Sequence, residues 1–290
     1  MFDLSLNGKL QLYADDSVIM YSFKPTDNMQ QALQNDVNEI MRWLERNCMA
    51  LNVTKTNYVV FGPQRFYCNV EIVVKDRVIE RADSVRYLGL VIDSDLKWKS
   101  HISHVRRKVV PYCFALRRIR RCIPESAAWA IYYAFIYPHF LYMCSVFGSS
   151  YQNAIEPLMR LQNKIIKIIR QMPSLTPTME IYPRGTLPLR AIYFYDVIVL
   201  FYKITRGLIK STATLLPGSD VHGHFTRSRH HLRVPYSRTE LSRRNALRLG
   251  LRVFNSIPQT LKDIPSIDLF KCRVRFFVVD NIVMLENFLR

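Results

Sequence analysis

The chain has 290 residues, of which 49% are hydrophobic and only 9 are glycine. That length and apolar content support one large or two ordinary domains with real cores, and exclude a disordered chain. Lys and Arg number 41 against 23 Asp and Glu, a net charge of +18, which points to a polyanionic partner, nucleic acid before an anionic membrane.

In chain order, Asn7-Gly8 is a tight-turn signal. Lys9 to Tyr13 reads as a strand, Ala14-Asp15-Asp16 as a turn and Ser17 to Ser22 as the return strand. Asp27 followed by Gln30 resembles a helix-capping pair, and Leu33, Val37, Ile40, Leu44 and Cys48 follow at helical spacing. Tyr58 to Phe61 reads as a short strand, "CNVEIVVKDRVIE" as a hairpin turning near Lys75-Asp76, and "VRYLGLVID" (85–93) as an apolar strand or tight hairpin. Ile102, Val105, Val109, Cys113, Leu116 and Ile119 continue at helical spacing past Pro111, which should kink that helix. Further helices are expected over 127–136, 155–170 and 189–204. Pro173, Pro177, Pro183 and Pro188 mark a linker, and short helical or extended pieces follow Arg252. The expected fold is α+β: mixed helix and antiparallel hairpins over 1–95, a basic helical region over 96–172, then a linker and a helical, Arg-rich region over 173–290.

Six cysteines stand at 48, 68, 113, 122, 144 and 272 with no CxxC pair, and the first nine residues hold no cationic run followed by an apolar run. The expectation is an unsecreted, intracellular protein of nucleus or cytoplasm with free thiols. The histidine pairs 101/104, 222/224 and 230/231 lack a matching pair at zinc spacing and are expected at the surface or on phosphates. Residues 127–148 carry no formal charge, but Pro138 and His139 lie mid-segment among Tyr132, Tyr133, Tyr137 and Tyr142. A buried helix broken at Pro138 is expected there, not a membrane span.

The chemistry concentrates in Asp15 and Asp16. Adjacent ionised carboxylates repel unless a cation sits beside them. Mg²⁺ takes one or two carboxylates plus substrate phosphates, and two such ions can activate a 3′-hydroxyl and stabilise a leaving pyrophosphate. An Asp-Asp dipeptide alone is most often a solvated turn; its surroundings change that. "LYADD" inside an apolar hairpin resembles the aromatic-x-Asp-Asp motif of reverse transcriptases. A helix follows, then "LNVTKTNYVVFG", similar to the next palm motif, and "VRYLGLVID", similar to the primer-grip hairpin. "LKWKSHISHVRRK" and "LQNKIIKIIR" resemble the thumb of non-LTR retrotransposon polymerases of the jockey type, and "LRVFNSIP" with a later "FK" resembles their tail.

The resemblance implies an RNA-directed DNA polymerase using Mg²⁺ or Mn²⁺, with an RNA template, a DNA primer and dNTP as partners and no membrane. Asp15 and Asp16 would be catalytic metal ligands. Lys55 would lie near the triphosphate, Tyr13 and Ala14 beside the primer end or nucleotide, and Tyr87, Leu88 and Gly89 under the primer backbone. Family members carry fingers and a first palm strand, with another metal-ligating aspartate, before this motif. Here 12 residues precede Tyr13. The expectation is therefore a C-terminal palm and thumb portion, inactive alone, with an exposed sheet edge where other palm strands would pair. The alternative is a non-catalytic nucleic-acid-binding protein derived from such an element.

Two stretches are expected to bind nucleic acid with little sequence preference. Residues 96–124 contain no acid and nine basic residues: Lys97, Lys99, Arg106, Arg107, Lys108, Arg117, Arg118, Arg120 and Arg121. Between Arg227 and Arg252 lie eight arginines, among them Arg229, Arg233, Arg243 and Arg244, with Glu240 the only acid and Phe225 and Tyr236 interleaved. Such runs track phosphates and release counterions.

Overall fold

A computed structural model of the chain describes residues 4–23, 28–62, 70–210, 215 and 231–289. The chain divides into two compact units, Met1–Leu96 and Lys97–Arg290. The first is α+β and the second is helical.

In the first unit, β1 (Lys9–Tyr13) pairs antiparallel with β2 (Asp16–Met20). Asp16 thus stands at the head of the return strand, opposite Tyr13, and the turn is Ala14-Asp15 alone. Helix α1 (Met29–Arg46) follows. Asp27 lies outside the described residues; the cap is Asn28, whose side chain accepts from the Gln31 amide. Gln30 is engaged elsewhere, as described below. Cys48 lies past the helix end, exposed, with φ 55°.

Asn7-Gly8 does not serve as a hairpin turn. Both amides donate to the Asp36 carboxylate of α1, at 3.0 Å and 2.9 Å, while Asn7 Nδ2 and the Tyr21 hydroxyl donate at 2.7 Å and 2.9 Å. Asp36 is 1% exposed. One buried carboxylate therefore fastens the open end of the β1–β2 hairpin to α1. Burial would raise its pKa, but the four donors outweigh burial and hold it below the usual carboxylate value.

Two further hairpins complete this unit. Strands β3 (Val73–Val74) and β4 (Arg77–Val78) are joined through Lys75-Asp76, both at positive φ (46° and 62°). Strands β5 (Ser84–Tyr87) and β6 (Leu90–Asp93) are joined through Leu88-Gly89, at 47° and 78°. Two consecutive left-handed residues make the turn whose twist matches paired strands. Val70, Ile72, Val74 and Ile79 form a small core with Leu33, Val37 and Met41 of α1.

The expected strand at 58–61 shrinks to one parallel bridge, Tyr58 to Arg81. The Tyr58 amide reaches the Glu80 carbonyl at 3.3 Å, and the Tyr58 carbonyl accepts from Ala82 at 2.9 Å. Two glutamines of α1 bond the backbone beside the second hairpin. Gln34 exchanges two bonds with the Val73 backbone, at 2.9 Å and 3.0 Å, and Gln30 does the same with Glu71. The two glutamine side chains occupy β3's free edge as a neighbouring strand would.

The second unit contains α2 (Lys99–Ile119), α3 (Glu125–Ile131), α4 (Tyr137–Leu141), α5 (Cys144–Phe147), α6 (Gln152–Ile169), α7 (Thr178–Ile181) and α8 (Leu189–Thr205). Then come α9 (Glu240–Arg243), α10 (Ala246–Ser256), α11 (Gln259–Lys262), α12 (Ile267–Asp280) and α13 (Ile282–Glu286). The pieces after Arg252 are thus helical in α10 to α13, not extended. Helix α2 runs through Pro111 as one element.

Residues 127–148 are broken as Pro138 demands. A π turn, Tyr132–Ile136, separates α3 from α4, and the Tyr137 amide reaches back five residues to the Tyr132 carbonyl. Proline has no N–H to continue the ladder, and the wider turn absorbs the mismatch. Ala128, Tyr132, Ile136, Phe140 and Cys144, four residues apart, are fully buried. Among the described residues no helix is long and apolar enough to cross a membrane.

Helix α8 is apolar on most sides, and α4, α5, α6, α10, α12 and α13 pack against it. The approach of α10 is close: a Cβ on Gly250 would meet Phe201 Cε2 at 2.2 Å. Phe201 is 2% exposed and has nowhere to turn. Gly250→Ala is expected to lower stability by about 1–3 kcal/mol, read as a lower chemical-denaturation midpoint at unchanged slope.

Candidate nucleic-acid interface and carboxylate pair

The first-unit residues expected to carry chemistry sit at turns. Tyr13 (64% exposed), Ala14, Asp15 and Asp16 are exposed at the β1–β2 tip, with Ala14 at φ 51°. A residue other than Gly, Asn or Asp at positive φ is uncommon, and it fixes the direction in which the chain presents Asp15. Lys55 is exposed at the end of a 3-10 turn, Val53–Lys55, tied by Thr54 Oγ1 donating to Asn52 Oδ1 at 2.7 Å. Tyr87, Leu88 and Gly89 form the β5–β6 turn and are half-buried, so Leu88 is a turn residue and not sheet core.

Two carboxylates suit a hard divalent cation in kind, because such ions take oxygen ligands. They do not suit a two-ion centre in number. Among the described residues no group of three or more His, Cys, Asp or Glu could hold a metal. No catalytic step can be assigned to the pair alone.

In the second unit, α2 separates into faces. Ile102, Val105, Val109, Cys113 and Leu116 are buried, while Lys99, Arg106, Arg107, Lys108, Arg117 and Arg118, with Arg121 beyond the helix, are exposed. Arg120 does not belong with them. It is 8% exposed; its guanidinium donates to the Ile169 carbonyl and, at 2.9 Å, to the Ile123 carbonyl. It joins the end of α2 to the end of α6. Position 120 continues the 109–113–116 stripe, a signal that the sequence contained. His101 is likewise inside, 2% exposed and edge-on to Phe147 at 4.8 Å, and not a surface histidine.

The Arg-rich stretch is also mixed. Arg227 and Arg229, with Phe225 and His222, His224 and His230, lie outside the described residues. Arg233 and Arg243 are exposed and Tyr236 is 84% exposed. Arg244 is pinned: it pairs with Glu240 at 2.7 Å, donates to the Ser149 and Leu289 carbonyls, and lies 4.3 Å over the Tyr151 ring. It joins three segments and is not available to a phosphate.

Sequence reasoning passed over two buried polar hubs. Gln162, fully buried, donates to the Tyr132 hydroxyl and the Leu187 carbonyl, both at 3.0 Å. It accepts from the Leu189 amide at 2.7 Å and the Tyr182 hydroxyl at 3.0 Å. Arg190, 4% exposed, donates to Gly148, Ser150 and Gln152 oxygens, and burial depresses its pKa. A polar residue amid apolar neighbours was the available signal.

Three curated proteins of Drosophila melanogaster align with the chain. The probable RNA-directed DNA polymerase from transposon X-element is 24% identical over 172 residues, 58% of this chain and 19% of that protein. The probable RNA-directed DNA polymerase from transposon BS is 22% identical over 192 residues, 65% of this chain and 20% of that protein. The RNA-directed DNA polymerase from mobile element jockey is 23% identical over 173 residues, 58% and 19% respectively. The chain resembles non-LTR retrotransposon reverse transcriptases. This agrees with the resemblance carried by "LYADD" and the motifs after it. The chain spans about a fifth of the length of these relatives. No family model matches, and no solved structure matches.

Proposed function

We propose that this chain is the C-terminal palm and thumb portion of a non-LTR retrotransposon reverse transcriptase, and that by itself it binds nucleic acid without polymerising. The observation that carries the reading is the Asp15-Asp16 pair at a hairpin tip, in a chain aligned with three RNA-directed DNA polymerases. In the longer parent the pair would ligate a divalent cation, Mg²⁺ or Mn²⁺, with a further ligand from outside this chain. Such ions stabilise the charge that develops on the transferred phosphate. Lys55 would face the triphosphate and Tyr87, Leu88 and Gly89 the primer backbone, with RNA template, DNA primer and dNTP as partners. The setting is intracellular.

The second unit supplies the clamp. Exposed Lys99, Arg106, Arg107, Lys108, Arg117, Arg118 and Arg121 present cations without compensating acids from 96 to 124. Oligonucleotide affinity is expected to fall steeply with salt, by about 10³-fold or more between 50 and 200 mM if about six phosphates are neutralised. Arg107→Ala with Lys108→Ala should weaken binding alike for all sequences and reduce the salt slope by about two. A flat salt dependence measured by anisotropy would remove the basis for this reading.

A further inference from the structure

The π turn exposes an aromatic pair with no role in the reading above. Phe135, within the turn, is 53% exposed although it stacks on Tyr112 of α2, with ring centroids 5.9 Å apart and planes 21° from parallel. His139 of α4 lies 6.2 Å from Tyr112. Exposed Lys108 precedes Tyr112 by one helical turn, and its charge, after burial, helps lower the His139 pKa. Tyr133, 39% exposed and stacked at 6.0 Å on Trp129, adds a second aromatic surface on the same turn.

We propose that the Phe135–Tyr112 pair is a stacking platform for an unpaired nucleobase, with Lys108 serving a flanking phosphate. An exposed aromatic half-covered by another ring offers a flat apolar face already fixed in orientation. Next to a cationic helix face, the occupant that matches both surfaces is single-stranded nucleic acid, since every base presents a π-face and every linkage a charge. An apolar protein partner would match the rings but not the cations; a duplex would match the cations but offer the rings no open base. The π turn explains how the ring comes to be exposed. Its extra residue per turn shifts Phe135 off the buried row of Tyr132, Ile136 and Phe140.

This inference deepens the nucleic-acid reading and rests on it, so the experiment separates the two. Anisotropy with the whole chain compares a single-stranded oligonucleotide, the same strand carrying abasic sites, and a blunt duplex. The expected result is that Phe135→Ala weakens the single strand by about fivefold or more, the loss of one base stack. The abasic strand and the duplex should be unaffected by that variant, and the salt slope unchanged. Phe135→Trp, which keeps a π-face, should restore binding, whereas Phe135→Leu should not. Near-ultraviolet dichroism of each variant reports folding. If wild type binds the single strand but Phe135→Ala and Phe135→Leu bind equally well, the platform is refuted and the general reading survives. If wild type binds no oligonucleotide, both fail. Equal weakening for abasic strand and duplex would also overturn the platform, since it would mark a general electrostatic or structural effect.

Discussion

Replacing Asp36 by Ala is expected to unfold the first unit's hairpin from its helix, at a cost of about 3–5 kcal/mol. The carboxylate accepts four hydrogen bonds, two from amides at Asn7 and Gly8 and two from side chains of Asn7 and Tyr21. Truncation leaves all four donors without their acceptor inside a closed contact. The apolar core of this unit is small, with Val70, Ile72, Val74 and Ile79 at its centre, so little else compensates. The check is amide hydrogen exchange: protection at Asn7, Gly8 and the β1–β2 ladder should collapse together, while the second unit keeps its protection.

The same site has a pH signature. Asp36 has a folded pKa below its unfolded value. Its contribution is therefore complete above the unfolded carboxylate value and drains away as pH falls through that range and beneath it. Tyr21 is shifted the other way, raised by burial and then by its bond to and charge repulsion from Asp36. Its contribution is complete below the ordinary phenol value and is lost as pH rises past it. The first unit should be stable between these limits, and Asp36→Asn should flatten the acid limb of its stability profile. An unchanged acid limb would show that the carboxylate does not bind the hairpin.

The second large effect is expected for Gln162→Leu, which keeps the side chain's bulk and removes its polarity. Three partners lose their bond at once, Tyr132, the Leu187 carbonyl and the Leu189 amide, while Tyr182 keeps its shorter bond to Asn163 Oδ1 at 2.6 Å. Gln162 is fully buried, so no water replaces what is lost. A loss of about 3–5 kcal/mol is expected, since each unsatisfied buried group costs about 1–3 kcal/mol and the effects are not additive. The denaturant midpoint of the second unit should fall without a change in slope. Glutamate at 162 would keep the acceptor for Leu189 and Tyr182 but not the donor, and should be intermediate or worse. A midpoint within experimental scatter of wild type would contradict the network.

Much of the fold was legible because apolar spacing is a local property. The 9–13 strand, the Lys75-Asp76 turn, and helices near 155–170 and 189–204 all emerged from period and turn chemistry. Several failures share a cause: a competing partner was distant in sequence. Asn7-Gly8 looked like a turn because Asp36 is 28 residues away from Gly8. Gln30 looked like a capping residue because Glu71 is 41 residues away. Arg120 and Arg244 looked like phosphate contacts because their carbonyl acceptors at Ile169 and Leu289 lie in other elements. The carboxylate pair was visible at once, since its spacing in "LYADD" is local. The Phe135–Tyr112 stack was not, since it depends on a π turn that no periodicity announces.

Primer extension on an RNA template in Mg²⁺, with wild type beside Asp15→Asn and oligonucleotide binding measured on the same samples, tests the central claim most directly. Both proteins should bind equally and extend nothing, because two carboxylates do not make a two-ion centre. Templated extension by wild type that disappears in Asp15→Asn would contradict this, and would place a complete catalytic site within the chain or its assembly.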